Sequence, residues 1–401
     1  MITPTLPPVV RTRAEPLLYG GFAIFAAVTA AVTQLGPHRV WGLFAAAAYG
    51  LAAAFWRTRA AAWLALCGAV VLPLAVLVLT GQGQPEVAVV QRSGAHLLAH
   101  GTPYLSPEEL AGGSYESYNP YLPGMALFGL PSAIAGIDAR LIFGCVFLAL
   151  LGRDGRLLAA SPLVALPLVV GGDDLPVIGL VCAGLALAAA DRPAPAGLAM
   201  GFAATLKATA WPAALVCLAL IAARRNTAHP KTPPQNAARW DALRSRVPGQ
   251  GSSGLGGVWR SRLGRYGGVF AGVVAVGVGV PALADPRGMF ENVVAFPLGL
   301  AGVDSPAESP LPGHLLAETG AFGHAAAVVA LGLAALAMGV SLIVRPPGDV
   351  RSAALRLALG LLLATALMPA TRWGYLVYPA VLVCWALLNE RRKEPELCLA
   401  A

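Results

Sequence analysis

The sequence predicts an all-α fold, a polytopic transmembrane helical bundle, and three observations carry that expectation. Of 401 residues, 57% are hydrophobic and only 12% charged, the mean hydropathy is +0.68, and the apolar residues gather in runs near the length of a membrane crossing. A water-soluble body needs far more polar surface than this composition supplies. In lipid, a helix satisfies its own backbone hydrogen bonds and needs about 20 apolar residues to cross the hydrocarbon core.

Candidate spans lie at 17–35, 40–56, 61–80, 121–135, 141–170, 175–190, 196–223, 266–284, 321–344, 353–369 and 375–388. The 141–170 run is interrupted, and 196–223 reads as one span or as two short helices, which gives about eleven or twelve crossings. The whole chain, 1–401, is expected to be one integral membrane domain. The first apolar run follows Arg11, Arg13 and Pro16 and is not closed by a small-residue cleavage pattern, so it reads as a retained span, not a signal peptide.

Charge placement sets the orientation. The 224–265 segment carries Arg224, Arg225, Lys231, Arg239, Arg244, Arg246, Arg260, Arg262 and Arg265 against Asp241, which marks it as a basic cytoplasmic loop. Rich in Pro, Gly and Ser, it lacks the apolar content to fold and is expected to be disordered. The 285–320 segment reverses the balance, with Asp285, Glu291, Asp304, Glu308 and Glu318 against Arg287, and should face outward. Alternate threading puts Arg57, Arg59, Arg345, Arg351 and 391–393 inside and the 81–119 segment outside. A pI near 9.4 raises the question of nucleic acid, but these cations sit in breaks between apolar runs, where they serve topology, and no nucleic-acid partner is expected. Membrane lipids are.

The six cysteines, Cys67, Cys145, Cys182, Cys217, Cys384 and Cys398, show no CxxC spacing. All but the last lie in apolar runs and read as small core residues, so neither a disulfide framework nor a zinc site is indicated. His96, His100 and His314 show no repeated ligand spacing and are assigned to no metal.

In the first large outer segment, Val87, Val90, Gly94, Leu97 and Leu98 recur at helical period, with Glu86, Arg92, His96 and His100 elsewhere on the surface. This pattern predicts an amphipathic helix lying on the membrane, with Glu86 in its first turn. A carboxylate there serves helix capping or general-base chemistry. Tyr104, Tyr118 and Tyr121, beside the Tyr-Asn-Pro-Tyr-Leu-Pro run at 118–123, suit an interfacial aromatic belt and equally suit stacking on a sugar ring. Tyr375 joins them as a candidate substrate-lining residue. Asp173 and Asp174 read as a helix start or as an acidic pair that binds hydroxyls. Lys207, amid apolar residues, costs roughly 2.5 to 3.5 kcal/mol at mid-membrane unless it snorkels or finds a partner. With Arg372 in a tight outer turn, and with Arg92, it is a candidate phosphate ligand.

The order of these features is that of a known family. Glu86 is followed by V-x6-G-x-x-L-L-x-x-G-x-P-Y, ending at Tyr104, then by Y-x-P-x-x-P before a span. Further on come G-G-D-D-L-P at 171–176, G-x5-K ending at Lys207 before Trp211-Pro212, and R-x-G-Y-x-x-Y-P from Arg372 to Pro379. The chain resembles glycosyltransferase family 87, the polyprenol-phosphate-mannose-dependent mannosyltransferases of the GT-C superfold, from about Glu86 to Pro379. The resemblance implies a multi-pass enzyme of the plasma membrane whose active site opens on the extracytoplasmic side. It implies a polyprenyl-phosphate sugar as donor, a lipid or envelope glycan as acceptor, and a catalytic carboxylate in the first large outer loop. That family usually has aspartate where this chain has Glu86, one methylene longer.

Glycosyl transfer from a lipid phosphate to a hydroxyl needs a base for the acceptor proton and cations for the leaving phosphate. Glu86 is the candidate base, with Asp173 or Asp174 binding acceptor hydroxyls or positioning it. Lys207 and Arg372 are expected to clamp the donor phosphate, and these acids and cations to meet in one outward-facing pocket. No cofactor is indicated; the outer acids leave a divalent metal open. Two other classes compete: a transporter or lipid flippase, which would use a broken helix near Lys207, and a non-catalytic scaffold of an envelope complex, suggested by the basic loop.

Overall fold

The computed structural model describes residues 14–58, 60–224, 255–303 and 306–399. Among them every regular element is helical, and the one β-type pairing is an isolated parallel bridge between Glu308 and Thr371. Five helices are long and apolar enough to cross a membrane: Glu15–Val32, Ala60–Leu79, Arg262–Ala284, Ala321–Val344 and Val350–Leu367. Shorter apolar helices run over Pro123–Ala135, Ala139–Leu151, Leu175–Ala189 and Ala208–Ala223. The Ala321–Val344 helix leaves Phe322, Leu333, Leu336 and Ile343 exposed, an apolar outer surface that suits lipid and not water. Most of the basic segment, 225–254, lies outside the described residues, as do Arg59 and Asp304. From Leu255 onward that segment is helical and runs into the next span.

The chain divides into two compact units, Met1–Ala88 with Asp138–Leu175, and Val89–Ile137 with Pro176–Ala401.

In the first unit, small residues set how closely helices approach. A Cβ on Gly42 would stand 2.7 Å from the carbonyl oxygen of Ala26, so the helices Ala14–Val32 and Gly36–Ala54 touch backbone to backbone there. The Ala60–Leu79 helix contains a π-turn over Cys67–Val71. Its cause is Pro73, which has no N–H for the carbonyl four residues earlier, that of Ala69. The Trp41 indole N–H donates to this oxygen at 2.9 Å, so the freed acceptor is satisfied within the unit. The interrupted 141–170 run resolves into three helices, Ala139–Leu151, Arg153–Ala159 and Pro162–Val170. Gly152, at φ +55°, makes the first break, and Ser161 followed by Pro162 makes the second.

In the second unit, Gly197 and Gly201 form a G-x-x-x-G face on the Pro193–Leu206 helix. Added Cβ atoms there would stand 2.5 Å from the Tyr266 carbonyl oxygen and 2.9 Å from Val273 Cβ, so the Leu255–Val274 helix packs directly on the glycines. Tyr266 then reaches across to donate its hydroxyl to the Ala214 carbonyl at 2.9 Å, joining the Trp211–Ala223 helix to the same group. The 196–223 run is thus two helices, parted by the extended residue Lys207 and a short 3₁₀ turn over Ala208–Ala210.

Two expectations need correction. The 121–135 run is not a long span but a short helical stretch, Pro123–Ala135, in which a 3₁₀ turn over Pro123–Phe128 passes through Gly129 into a six-residue helix, Leu130–Ala135. The cysteines are not uniformly core residues. Cys182 and Cys217 are buried, whereas Cys145 is exposed, and Cys67, Cys145, Cys182, Cys217 and Cys384 are free.

Candidate functional site

In the first unit, the three acids singled out by the sequence come from two segments that touch. Glu86 sits in the first turn of the Pro85–His100 helix, the amphipathic helix expected there, and is partly buried. Two residues before it, the Gln84 N–H donates to the Val170 carbonyl at 2.8 Å. The Gln84 side chain lies over Gly171, whose missing Cβ would stand 2.5 Å from Gln84 Oε1 and 3.8 Å from Asp173 Oδ1. Any larger residue at 171 would displace Gln84 from this junction. Asp173 and Asp174 stand directly before the Leu175–Ala189 helix, but Asp173 is only 6% exposed and is not a solvated helix start; Asp174 is partly buried.

A residue the sequence reading passed over fixes this junction. Arg140, 2% exposed, donates through Nη1 to the carbonyls of Gln82, at 2.8 Å, and Val169, at 3.0 Å. Its Nε and Nη2 hold Asp138 through Oδ1 at 2.9 Å and Oδ2 at 2.8 Å, a two-pronged pair. Burial works to raise the Asp138 pKa, but the hydrogen bonds from the Arg140 side chain and N–H, with its charge, outweigh it and hold the carboxyl below its usual range. The available signal was an Asp-x-Arg pair at the mouth of an apolar run.

In the second unit, side chains from distant loops hold Tyr121 by its backbone. The Tyr104 hydroxyl donates to the Tyr121 carbonyl at 2.9 Å. Asn119 Oδ1 accepts from the Tyr121 N–H at 3.1 Å. Asn119 is held in turn by Asn292, whose Oδ1 accepts from the Asn119 N–H at 2.8 Å and whose Nδ2 donates to the carbonyls of Leu105 and Gly288. Asn292 is fully buried, and nothing in its sequence neighbourhood announced it. Burial, and then the nearby charge of Asp285, raise the Tyr104 pKa, so its hydroxyl keeps its proton and remains a donor.

Lys207 lies over the ring held in this way. Its Nζ is 4.8 Å from the Tyr121 centroid, a cation–π distance. The lysine is 9% exposed and has extended backbone, φ −147° and ψ 147°, where the two helices part. Neighbouring contacts fix its segment. The Leu122 N–H donates to the Leu206 carbonyl at 3.1 Å, and a Cβ on Gly124 would meet Thr205 Oγ1 at 2.4 Å. Lys207 is therefore buried in protein, not extended to an interface.

Beside this point, Thr205 and Gly124 form part of the wall of an apolar cavity of ≈ 700 Å³ completed by residues such as Leu97, Leu127, Phe202 and Val273. Arg372, partly buried and extended, precedes a 3₁₀ turn over Trp373–Leu376 that carries Tyr375. The hydroxyls of Thr209 and Tyr378 hydrogen-bond at 3.0 Å, so the Lys207 segment and the Arg372 segment touch.

Three candidates have different duties from those expected. Tyr104 is 1% exposed, with its hydroxyl engaged, and acts as a strut. Tyr118 stacks on Phe296, with centroids 4.6 Å apart and planes 12° apart, so one face of its ring is covered and unavailable to a sugar. Arg92 donates through Nη2 to the carbonyls of Glu116, at 2.7 Å, and Ser117, at 3.0 Å, anchoring the 3₁₀ turn over Tyr115–Ser117. The acids Glu86, Asp173 and Asp174 thus belong to the first unit, and Lys207, Arg372, Arg92 and the tyrosines to the second. Comparison with protein-family models, with curated proteins and with solved structures finds no match to this chain.

Proposed function

We propose that the chain is an integral membrane glycosyltransferase of the GT-C kind, similar to glycosyltransferase family 87. It moves a hexose, mannose by that resemblance, from a polyprenyl phosphate to an envelope lipid or glycan on the extracytoplasmic face of the plasma membrane. The observation that carries this reading is Lys207, a buried cation held over Tyr121 and two residues from Thr205, which lines an apolar cavity of ≈ 700 Å³. A phosphate on a long isoprenoid chain has those two needs, a fixed positive charge and an adjoining apolar groove. Arg372, on the segment that touches the Lys207 segment, supplies the second cation.

In the reaction, the acceptor hydroxyl oxygen bonds to C1 of the sugar as the C1–O bond to phosphate breaks. The polyprenyl phosphate leaves with the electron pair, and the hydroxyl proton passes to the Glu86 carboxylate. One displacement at C1 inverts its configuration and needs no covalent intermediate. Asp173 and Asp174 bind acceptor hydroxyls. Deleting the gene should remove a hexose from an envelope lipid or glycan, seen by mass spectrometry. The parent chain should restore it, and Glu86→Gln, at equal abundance, should not. Restoration by Glu86→Gln would remove Glu86 from the mechanism.

The helix break at Lys207 also favours a transporter or flippase reading. That reading predicts substrate movement across proteoliposomes without sugar transfer.

A further inference from the structure

The sequence has His96 and His100 four residues apart on one helix, a spacing that places two imidazoles on the same face. In the Pro85–His100 helix their rings stack, with centroids 4.2 Å apart and planes 28° apart. His96 Nδ1 lies 2.8 Å from the Thr102 carbonyl oxygen. A carbonyl only accepts, so Nδ1 carries the hydrogen, and the neutral ring presents its lone pair at Nε2. That Nε2 is buried and has no hydrogen-bond partner, which is costly for a nitrogen acceptor unless something occupies the position.

A carboxylate oxygen faces it. Glu109 Oε1 stands 3.8 Å from His96 Nε2, too far for a hydrogen bond. The other oxygen, Oε2, accepts from the Ser106 N–H at 2.8 Å, and the Ser106 hydroxyl accepts from the Glu109 N–H, a reciprocal capping box. Both groups are thus oriented from behind, the histidine by a backbone carbonyl and the glutamate by a backbone N–H, as metal-binding side chains are. Nitrogen and oxygen ligands each about 2.0 to 2.2 Å from a common ion can stand 3.8 Å apart at an open ligand angle.

We propose that His96 Nε2, Glu109 Oε1 and a ring nitrogen of His100 form a site for a zinc-class divalent cation. Among the described residues no three such side chains already stand in ligand positions. His96 and Glu109 face one point, and His100, which is exposed, completes the set by rotating out of its stack. Two imidazoles and one carboxylate select zinc-class ions over magnesium, which prefers oxygen ligands. The ion would tie the end of the Pro85–His100 helix to the Pro107–Leu110 turn across Gly101 and Pro103, both of which line the apolar cavity. Metal at this outer turn would hold one wall of that cavity in place.

The test uses the full-length protein in detergent, with any affinity tag removed, stripped by a chelator and titrated with zinc against a fluorescent competitor. One zinc per chain is expected, unaffected by excess magnesium. His96→Ala, His100→Ala and Glu109→Gln should each weaken binding at least tenfold. The Glu109→Gln side-chain carbonyl can still accept from Ser106, so this variant keeps the turn, and size-exclusion profiles check all three. Cobalt substituted for zinc should give visible absorption that each variant abolishes. Parent-like zinc affinity in any of the three, or no stoichiometric binding by the parent, overturns the site.

Discussion

Arg140 binds four acceptors with three nitrogens while 2% exposed. Truncating one partner of such a buried pair leaves the other charge uncompensated, which costs about 3 to 5 kcal/mol. Arg140→Ala should therefore lower the thermal midpoint by several degrees in detergent, more than Asp138→Asn, which keeps an acceptor for Arg140. The pair also predicts an acid limb. The Asp138 pKa is depressed in the folded state, so its stabilisation is complete above the unfolded carboxylate value of about 3.9 and is lost as pH falls through the lower folded value. Scanning fluorimetry in this acid window should show a step in the parent that is missing in Asp138→Asn. At this scale the sequence was readable where chemistry clashed with surroundings. Lys207 stood out as a charge among apolar residues, and Glu86 as an acid opening an amphipathic helix. Arg140 and Asn292 did not, because their role is to satisfy carbonyls brought together only by the fold. His96 and His100 were assigned to no metal from the sequence, and only the orphaned Nε2 of His96 drew attention to their four-residue spacing.

Glycine contacts govern the elements. Gly197 and Gly201 let the Leu255–Val274 helix rest on backbone, so Gly201→Leu would place a side chain where a single Cβ already meets Val273 at 2.9 Å. Overpacking of this kind costs about 1 to 3 kcal/mol. The variant should show a lower thermal midpoint, whereas Gly272→Ala, where an added Cβ meets nothing within 4 Å, should keep the parent's. Helix existence was legible because apolar runs need no tertiary information to declare themselves. Helix continuity was less so. The π-turn at Cys67–Val71 and the 3₁₀ turn at Pro123–Phe128 follow from prolines whose effect depends on what satisfies the freed carbonyls, here Trp41 for Ala69.

For the whole molecule, composition alone identified lipid as the solvent, and five long apolar helices agree with it. Division into two units was not legible, since two of the three boundaries, between Ala88 and Val89 and between Leu175 and Pro176, fall inside helices, where no change of composition marks them. Lys207→Ala should lower kcat/KM by about 10- to 100-fold, the worth of a charge-assisted hydrogen bond to the leaving phosphate. The most direct measurement is transfer of radiolabelled mannose from polyprenyl phosphate by the purified chain in proteoliposomes containing envelope lipid acceptors. The account predicts labelled product from the parent, a large loss in Lys207→Ala and none formed by Glu86→Gln. Equal transfer by all three proteins, or no transfer by a folded parent that instead moves substrate across the bilayer, would contradict it.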